Sequence, residues 1–135
     1  MKYRILIVSA NYYTDISNNL LKDAKITLKG KAKYQIINVP GVFEIPVIIA
    51  KNIKKYHGFI ALGCVIKGET PHFDFISNTT ISAIMNLSVI HKKPIGNGIL
   101  TCLYKKQAKA RSGSFKKVGK GTEAAKAVLS VLNNS

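Results

Sequence analysis

The chain has 135 residues, 47% of them hydrophobic, which is enough for one packed domain spanning residues 1–135. Its 21 Lys and Arg stand against 6 Asp and Glu, a formal charge of +15, but the excess is spread over both halves and all but two of the cations are lysines. A lysine-rich surface therefore explains the charge better than a nucleic-acid footprint, which would need a basic tail or interleaved aromatics. No apolar run approaches a membrane span, Ile5 to Ala10 is too short for a secretory signal, and two cysteines make no disulfide framework; a cytoplasmic protein with Cys64 and Cys102 reduced and buried is expected.

Strand-like and helix-like segments alternate from end to end, the pattern of a parallel sheet covered by helices on both faces. Tyr3 to Ala10 reads as the first strand. Asp15 to Gly30 follows as a helix with Ile16, Leu20, Leu21, Ala24 and Leu28 on one stripe and Gly30 as its stop. Gln35 to Val39 is a second strand, broken by Pro40-Gly41; a helix then starts around Glu44 to Pro46, where proline is tolerated, and runs to about Tyr56. Gly58 to Ile66 is a third, fully apolar strand. A long helix from Phe73 to His91 has no charged residue between Phe75 and Ile90 yet is too polar for a bilayer, so a subunit interface is its expected cover. Ile95 to Thr101 is the fourth strand, followed by a basic helix over Lys105 to Arg111 and a last helix from Thr122 to Leu132, with Gly121 as a loop exit and Thr122 as N-cap.

In an open α/β sheet ligands bind beyond the carboxyl ends of the strands, and chemistry-bearing residues gather there. The third strand runs into Gly63-Cys64-Val65-Ile66-Lys67-Gly68-Glu69-Thr70-Pro71-His72-Phe73-Asp74. Tyr12-Tyr13 ends the first strand and Phe43-Glu44 follows the second, so three strand ends converge on one edge. Gly63-x4-Gly68-Glu69-Thr70 misses a nucleotide P-loop by one residue, and that residue is a carboxylate where the phosphate-binding lysine belongs. Gly119-x-Gly121-x-x-Ala124 matches a relaxed dinucleotide fingerprint but neither follows nor precedes a strand, so it is read as coincidence. His72, between Glu69 and Asp74, is open to three readings: proton donor, metal ligand or plain helix-start residue. No further His or Cys stands at ligand spacing, so no metal site is expected, while His57 and His91 read as solvated. Arg111 is either a bidentate phosphate ligand or one more surface cation.

Together, Pro40-Gly41-Val42-Phe43-Glu44-Ile45-Pro46, the Leu62 to Asp74 run and Pro94-Ile95-Gly96-Asn97-Gly98-Ile99-Leu100-Thr101 closely resemble the 6,7-dimethyl-8-ribityllumazine synthase family. The likeness extends to Gly119-Lys120-Gly121-Thr122-Glu123-Ala124-Ala125, similar to the family's run before its last helix. It implies a single-domain, three-layer αβα sandwich with a flavodoxin-like four-stranded parallel sheet. It also implies the penultimate step of riboflavin biosynthesis: condensation of 5-amino-6-(D-ribitylamino)uracil with 3,4-dihydroxy-2-butanone 4-phosphate, releasing phosphate and water without metal or organic cofactor.

By position in those motifs, the resemblance gives Tyr12 the role of stacking on the pyrimidine. Val42, Phe43 and Glu44 line the uracil and ribityl pocket, and Cys64, Val65 and Ile66 form its floor. Glu69 and Thr70 lie against the butanone phosphate, with Arg111 as counter-charge, and His72 moves protons. The family's sites lie between neighbouring subunits of a homopentamer, with Asn97 and Arg111 from one chain and the rest from the next, and riboflavin synthase is the functional neighbour. Many members carry an aromatic where this chain has Asn97, and an aromatic-Asn pair where it has Tyr12-Tyr13. A start close to the first strand and a longer stretch from Arg111 to Gly121 favour a free pentamer over a sixty-subunit shell. The rival readings are an RNA-binding module built on Lys105, Lys106, Lys109, Arg111, Lys116, Lys117 and Lys120, and a flavodoxin-like flavin or nucleotide carrier.

Overall fold

Four parallel strands, β1 (Arg4–Ala10), β2 (Lys33–Val39), β3 (Gly58–Ile66) and β4 (Ile95–Cys102), lie in the order β2-β1-β3-β4 in a computed structural model that describes residues 2–113 and 119–134. Five helices complete it: α1 (Thr14–Leu28), α2 (Ile45–Lys51), α3 (Phe73–His91), α4 (Lys105–Arg111) and α5 (Lys120–Asn133). The α/β three-layer architecture expected from the sequence is the one observed. Lys116 and Lys117 of the basic stretch lie outside the described residues.

Strand alternation sorts the core into two layers. Ile5, Ile7, Ile60, Leu62, Ile66 and Leu100 point to one face, where Ile16, Leu20, Ala24 and Leu28 of α1 and Val128, Leu129 and Leu132 of α5 cover them. Leu6, Val8, Phe59, Ala61, Val65 and Ile99 point to the other, under Ile45 and Ile49 of α2 and Ile84 of α3. The chain passes from β1 to β2 on one side and from β3 to β4 on the other, so the switch point falls between the carboxyl ends of β1 and β3.

Three boundaries differ from the sequence reading. Helix α2 stops at Lys51, short of Tyr56, because Asn52 Nδ2 takes the Ile48 carbonyl at 2.8 Å and the next turn tightens, with Ile53 N–H reaching the Ala50 carbonyl. Strand β2 begins at Lys33, where it pairs with Arg4. Gly121, taken as a loop exit, is buried inside the first turn of α5, which begins at Lys120 after Gly119. A Cβ there would run into the Leu20 carbonyl, so glycine is what lets α5 seat against α1. His57, read as solvated, is exposed but accepts the Arg4 backbone N–H at 3.0 Å on Nδ1.

Both cysteines are buried, as expected. Helix α3 buries only Ser77, Thr80 and Ile84, while Phe75, Met85, Val89 and Ile90 are each at least 60% exposed. The hydroxyls of Ser77 and Thr80 are buried with no hydrogen-bond partner among the described residues. An uncharged helix with this much apolar surface is an uncovered face.

Candidate active site

The turns after β1, β2 and β3 meet in a cleft of about 270 Å3 lined by Ala10, Tyr12, Tyr13, Gly41, Val42, Phe43, Cys64, Val65, Ile66, Glu69, Thr70 and Ile76. Local chemistry fixes each wall. Ser17 Oγ donates to the Ala10 carbonyl at 2.7 Å, and Asn11 N–H bonds the Val39 carbonyl at 3.1 Å, which sets the exit angle carrying Tyr12 and Tyr13. A single helical turn over Val42 to Glu44 lays Phe43 open to solvent and buries Val42. Gly63 lets that turn close on the sheet: a Cβ there would stand 2.5 Å from Val42 Cγ1 and 3.1 Å from Ala10 Cβ. Beyond β3 another single turn over Lys67 to Glu69 is tied to the end of β4 by the Gly68 N–H, which donates to the Leu103 carbonyl at 3.3 Å.

The two tyrosines meet edge to face, ring centroids 4.9 Å apart. Burial, then the neighbouring Glu69 carboxylate, holds the Tyr13 phenol above its ordinary range, so it stays protonated. Tyr12 is 75% exposed. Its ring is the one left with an open face. The Cys64 thiol is pushed up to about 12, chiefly by burial, and is a neutral wall group rather than a nucleophile at physiological pH.

Glu44 and His72 stand apart from the cleft lining. The Glu44 carboxylate folds back over Gly41, where a Cβ would lie 3.2 Å from Oε1. His72 is exposed at the start of α3, its backbone N–H donating to Thr70 Oγ1 at 3.2 Å and its carbonyl accepting the Ile76 N–H. It adjoins the cleft through Thr70. Among the described residues no group of three His, Cys, Asp or Glu is placed to hold a metal ion.

Asn97 and Arg111 lie elsewhere, in a second cleft of about 600 Å3 along the free edge of β4, with Ile81, Thr101, Gln107, Ala110, Lys120 and Glu123 among its walls. The two clefts share no residue. Asn97 Oδ1 accepts the Ile99 N–H at 3.0 Å, which leaves its amide NH2 to donate. Arg111 ends α4; its Nη1 sits 3.9 Å from Cys102 Sγ, and it makes no ion pair among the described residues. Lys120 is paired with Glu123 at 3.8 Å. Sequence reasoning placed Lys120 only in the rival RNA-binding surface and gave Glu123 no role, although their spacing of three in the first turn of a helix puts both on one face. A third cavity, of about 700 Å3, opens between α1 and β2 and contains none of the expected site residues.

Similarity to known proteins follows this geometry. The sequence profile of the 6,7-dimethyl-8-ribityllumazine synthase family matches residues 2–135. Relatives carrying that name include one from Bartonella henselae, 47% identical over 97% of this chain and 87% of its own length, and one from Agrobacterium fabrum, 45% identical over 97% and 93%. A third, from Rhodopseudomonas palustris, is 43% identical over 96% of this chain and 83% of its own length. With the profile matched nearly end to end, and relatives of this identity along almost their full lengths, the chain belongs to the 6,7-dimethyl-8-ribityllumazine synthase family.

Proposed function

We propose that this chain is a 6,7-dimethyl-8-ribityllumazine synthase, a transferase of riboflavin biosynthesis that condenses 5-amino-6-(D-ribitylamino)uracil with 3,4-dihydroxy-2-butanone 4-phosphate. The observation that carries the full reading is that two non-overlapping clefts of one chain divide the candidate residues other than Glu44 and His72 between them. A site shared between neighbouring copies joins them. The apolar face of α3 is a surface for such contact, since burying side chains of the size of Phe75, Met85, Val89 and Ile90 contributes about 1.5–3 kcal/mol each. The assembly is a homopentamer in the cytoplasm, and riboflavin synthase consumes its product.

In this reading Tyr12 stacks on the pyrimidine, Phe43 and Val42 flank it, and the β3 end, Cys64 to Ile66, supplies a floor with backbone donors and acceptors. Asn97 from the adjoining copy offers its free amide NH2 to the same ligand. Arg111 binds the phosphate with its fork, and Thr70 completes the cradle. The reaction starts with attack of the 5-amino group on the ketone, followed by loss of water to an imine, phosphate elimination, ring closure and a second dehydration. Protons move at each stage, and His72, at the mouth of the cleft beside Thr70, carries them. Holding two substrates together supplies much of the acceleration.

The test is to mix the purified protein with both substrates and follow the lumazine by absorbance and fluorescence against a no-enzyme control. Turnover well above background is expected. In His72→Ala, kcat should fall about 10–100-fold with folding intact, less than the loss of an indispensable acid-base group would give. A folded, assembled protein that does not accelerate product formation refutes the proposal.

A further inference from the structure

One face of α1 holds the junction between α4 and α5. Asn19 Nδ2 donates to Ser112 Oγ at 3.3 Å, just after α4, and the Leu20 carbonyl lies against Gly121 in the first turn of α5. One turn on from Asn19, the Asp23 carboxylate packs onto two glycine backbones. A Cβ on Gly113 would collide with Asp23 Oδ2, and Gly113 has φ +117, a conformation open only to glycine. A Cβ on Gly119 would stand 2.6 Å from the same carboxylate oxygen and 2.7 Å from Gly113 Cα. Gly113 and Gly119 therefore touch over a single carboxylate and form a neck.

The neck lies between the two cations of the β4 cleft. Arg111 precedes it by two residues and Lys120 follows it by one. Asp23 lines neither cleft. Among the described residues Asp23 makes no ion pair: on α1 the surface pair with α4 is made by Asp15, to Lys109 at 3.7 Å. Burial holds the Asp23 carboxyl above its ordinary value against the opposing pull of Lys22, as fits a group pressed under backbone.

We infer that Asp23 is a positioning residue for the phosphate end of the site: by closing the Gly113–Gly119 neck it presents Arg111 and Lys120 to one anion. This rests on the reading of Arg111 as the phosphate ligand. Arg111 ends a seven-residue helix that Asn19 and Asp15 also hold to α1, and any freedom still left to its backbone is lost on binding, at a cost in affinity.

Steady-state kinetics on the full chain, with Asp23→Ala, Asp23→Asn, Arg111→Ala and the Asp23→Ala/Arg111→Ala double variant, test it. Asp23→Ala should raise the KM for butanone phosphate about five- to tenfold while that for the pyrimidine stays within about twofold, since only the anion end loses its positioning. Asp23→Asn, which keeps the oxygen and the volume, should recover most of the loss, and the double variant should be no worse than Arg111→Ala alone. Asp23→Ser serves if the alanine variant does not fold. An unchanged phosphate-substrate KM in the folded Asp23 variants, or effects that multiply in the double variant, overturns the inference. An unchanged KM in Arg111→Ala instead overturns the phosphate assignment beneath it.

Discussion

Arg111 differs from the lysines around it in what it can do, and that difference can be measured. A guanidinium meets two phosphate oxygens with a fixed fork, whereas an ammonium is a point charge on a flexible stem. The guanidinium Nη1 lies 3.9 Å from Cys102 Sγ, a weak contact that a phosphate would outcompete. The expected result for Arg111→Lys is a KM for butanone phosphate raised about 10- to 150-fold with kcat nearly unchanged, because one of two charge-assisted bonds, worth about 1.5–3 kcal/mol, is lost. A lysine variant as good as wild type would mean that net charge alone holds the substrate. At this scale the sequence singled out Arg111 as one of only two arginines, and left open whether it binds phosphate or is one more surface cation. It was silent on Asp23, whose role depends on two glycines 90 and 96 positions away along the chain.

At the scale of elements, period and punctuation were sufficient to place every strand and helix, because the central strands are apolar on both faces and the helices between them carry clear stripes. The errors fall where a side chain competes with the backbone or where another element decides. Asn52 ends α2 early, and the pressure of α1 on Gly121 turns a residue with a loop's propensity into a helical one. The same dependence makes Gly63 a test of how the first cleft is built. Its hydrogen atoms face Val42 and Ala10, so Gly63→Ala must push the Val42 turn away from the sheet or strain β3. A loss of about 1–3 kcal/mol in chemical denaturation is expected, with a weaker affinity for the pyrimidine, whose walls that turn carries. A variant as stable as wild type would show that the turn yields freely and does not define the cleft.

At the scale of the whole molecule, only the family resemblance put Asn97 and Arg111 on one chain and the other expected residues on the next; no residue pattern does so, since distance across a sheet edge has no local signature. In the proposed ring, built from one heterologous contact repeated five times, each first cleft would meet the β4 cleft of a neighbour. Two variants can then be damaged in complementary ways: Phe43→Asp puts a charge on the exposed wall of the first cleft, and Arg111→Ala empties the second. Each alone should be nearly inactive at butanone phosphate concentrations far below the KM of the arginine variant. When the two chains are co-expressed in equal amounts and assemble at random, a site is whole only if one copy supplies an intact Phe43 and its neighbour an intact Arg111, which is about a quarter of sites. Activity near a quarter of wild type in the co-expressed protein, and none in a mixture of the separately assembled variants, is the expected outcome. A site confined to one chain has no means of recovery, so equal inactivity in both preparations would overturn the shared-site reading and, with it, the reason for the uncovered face of α3.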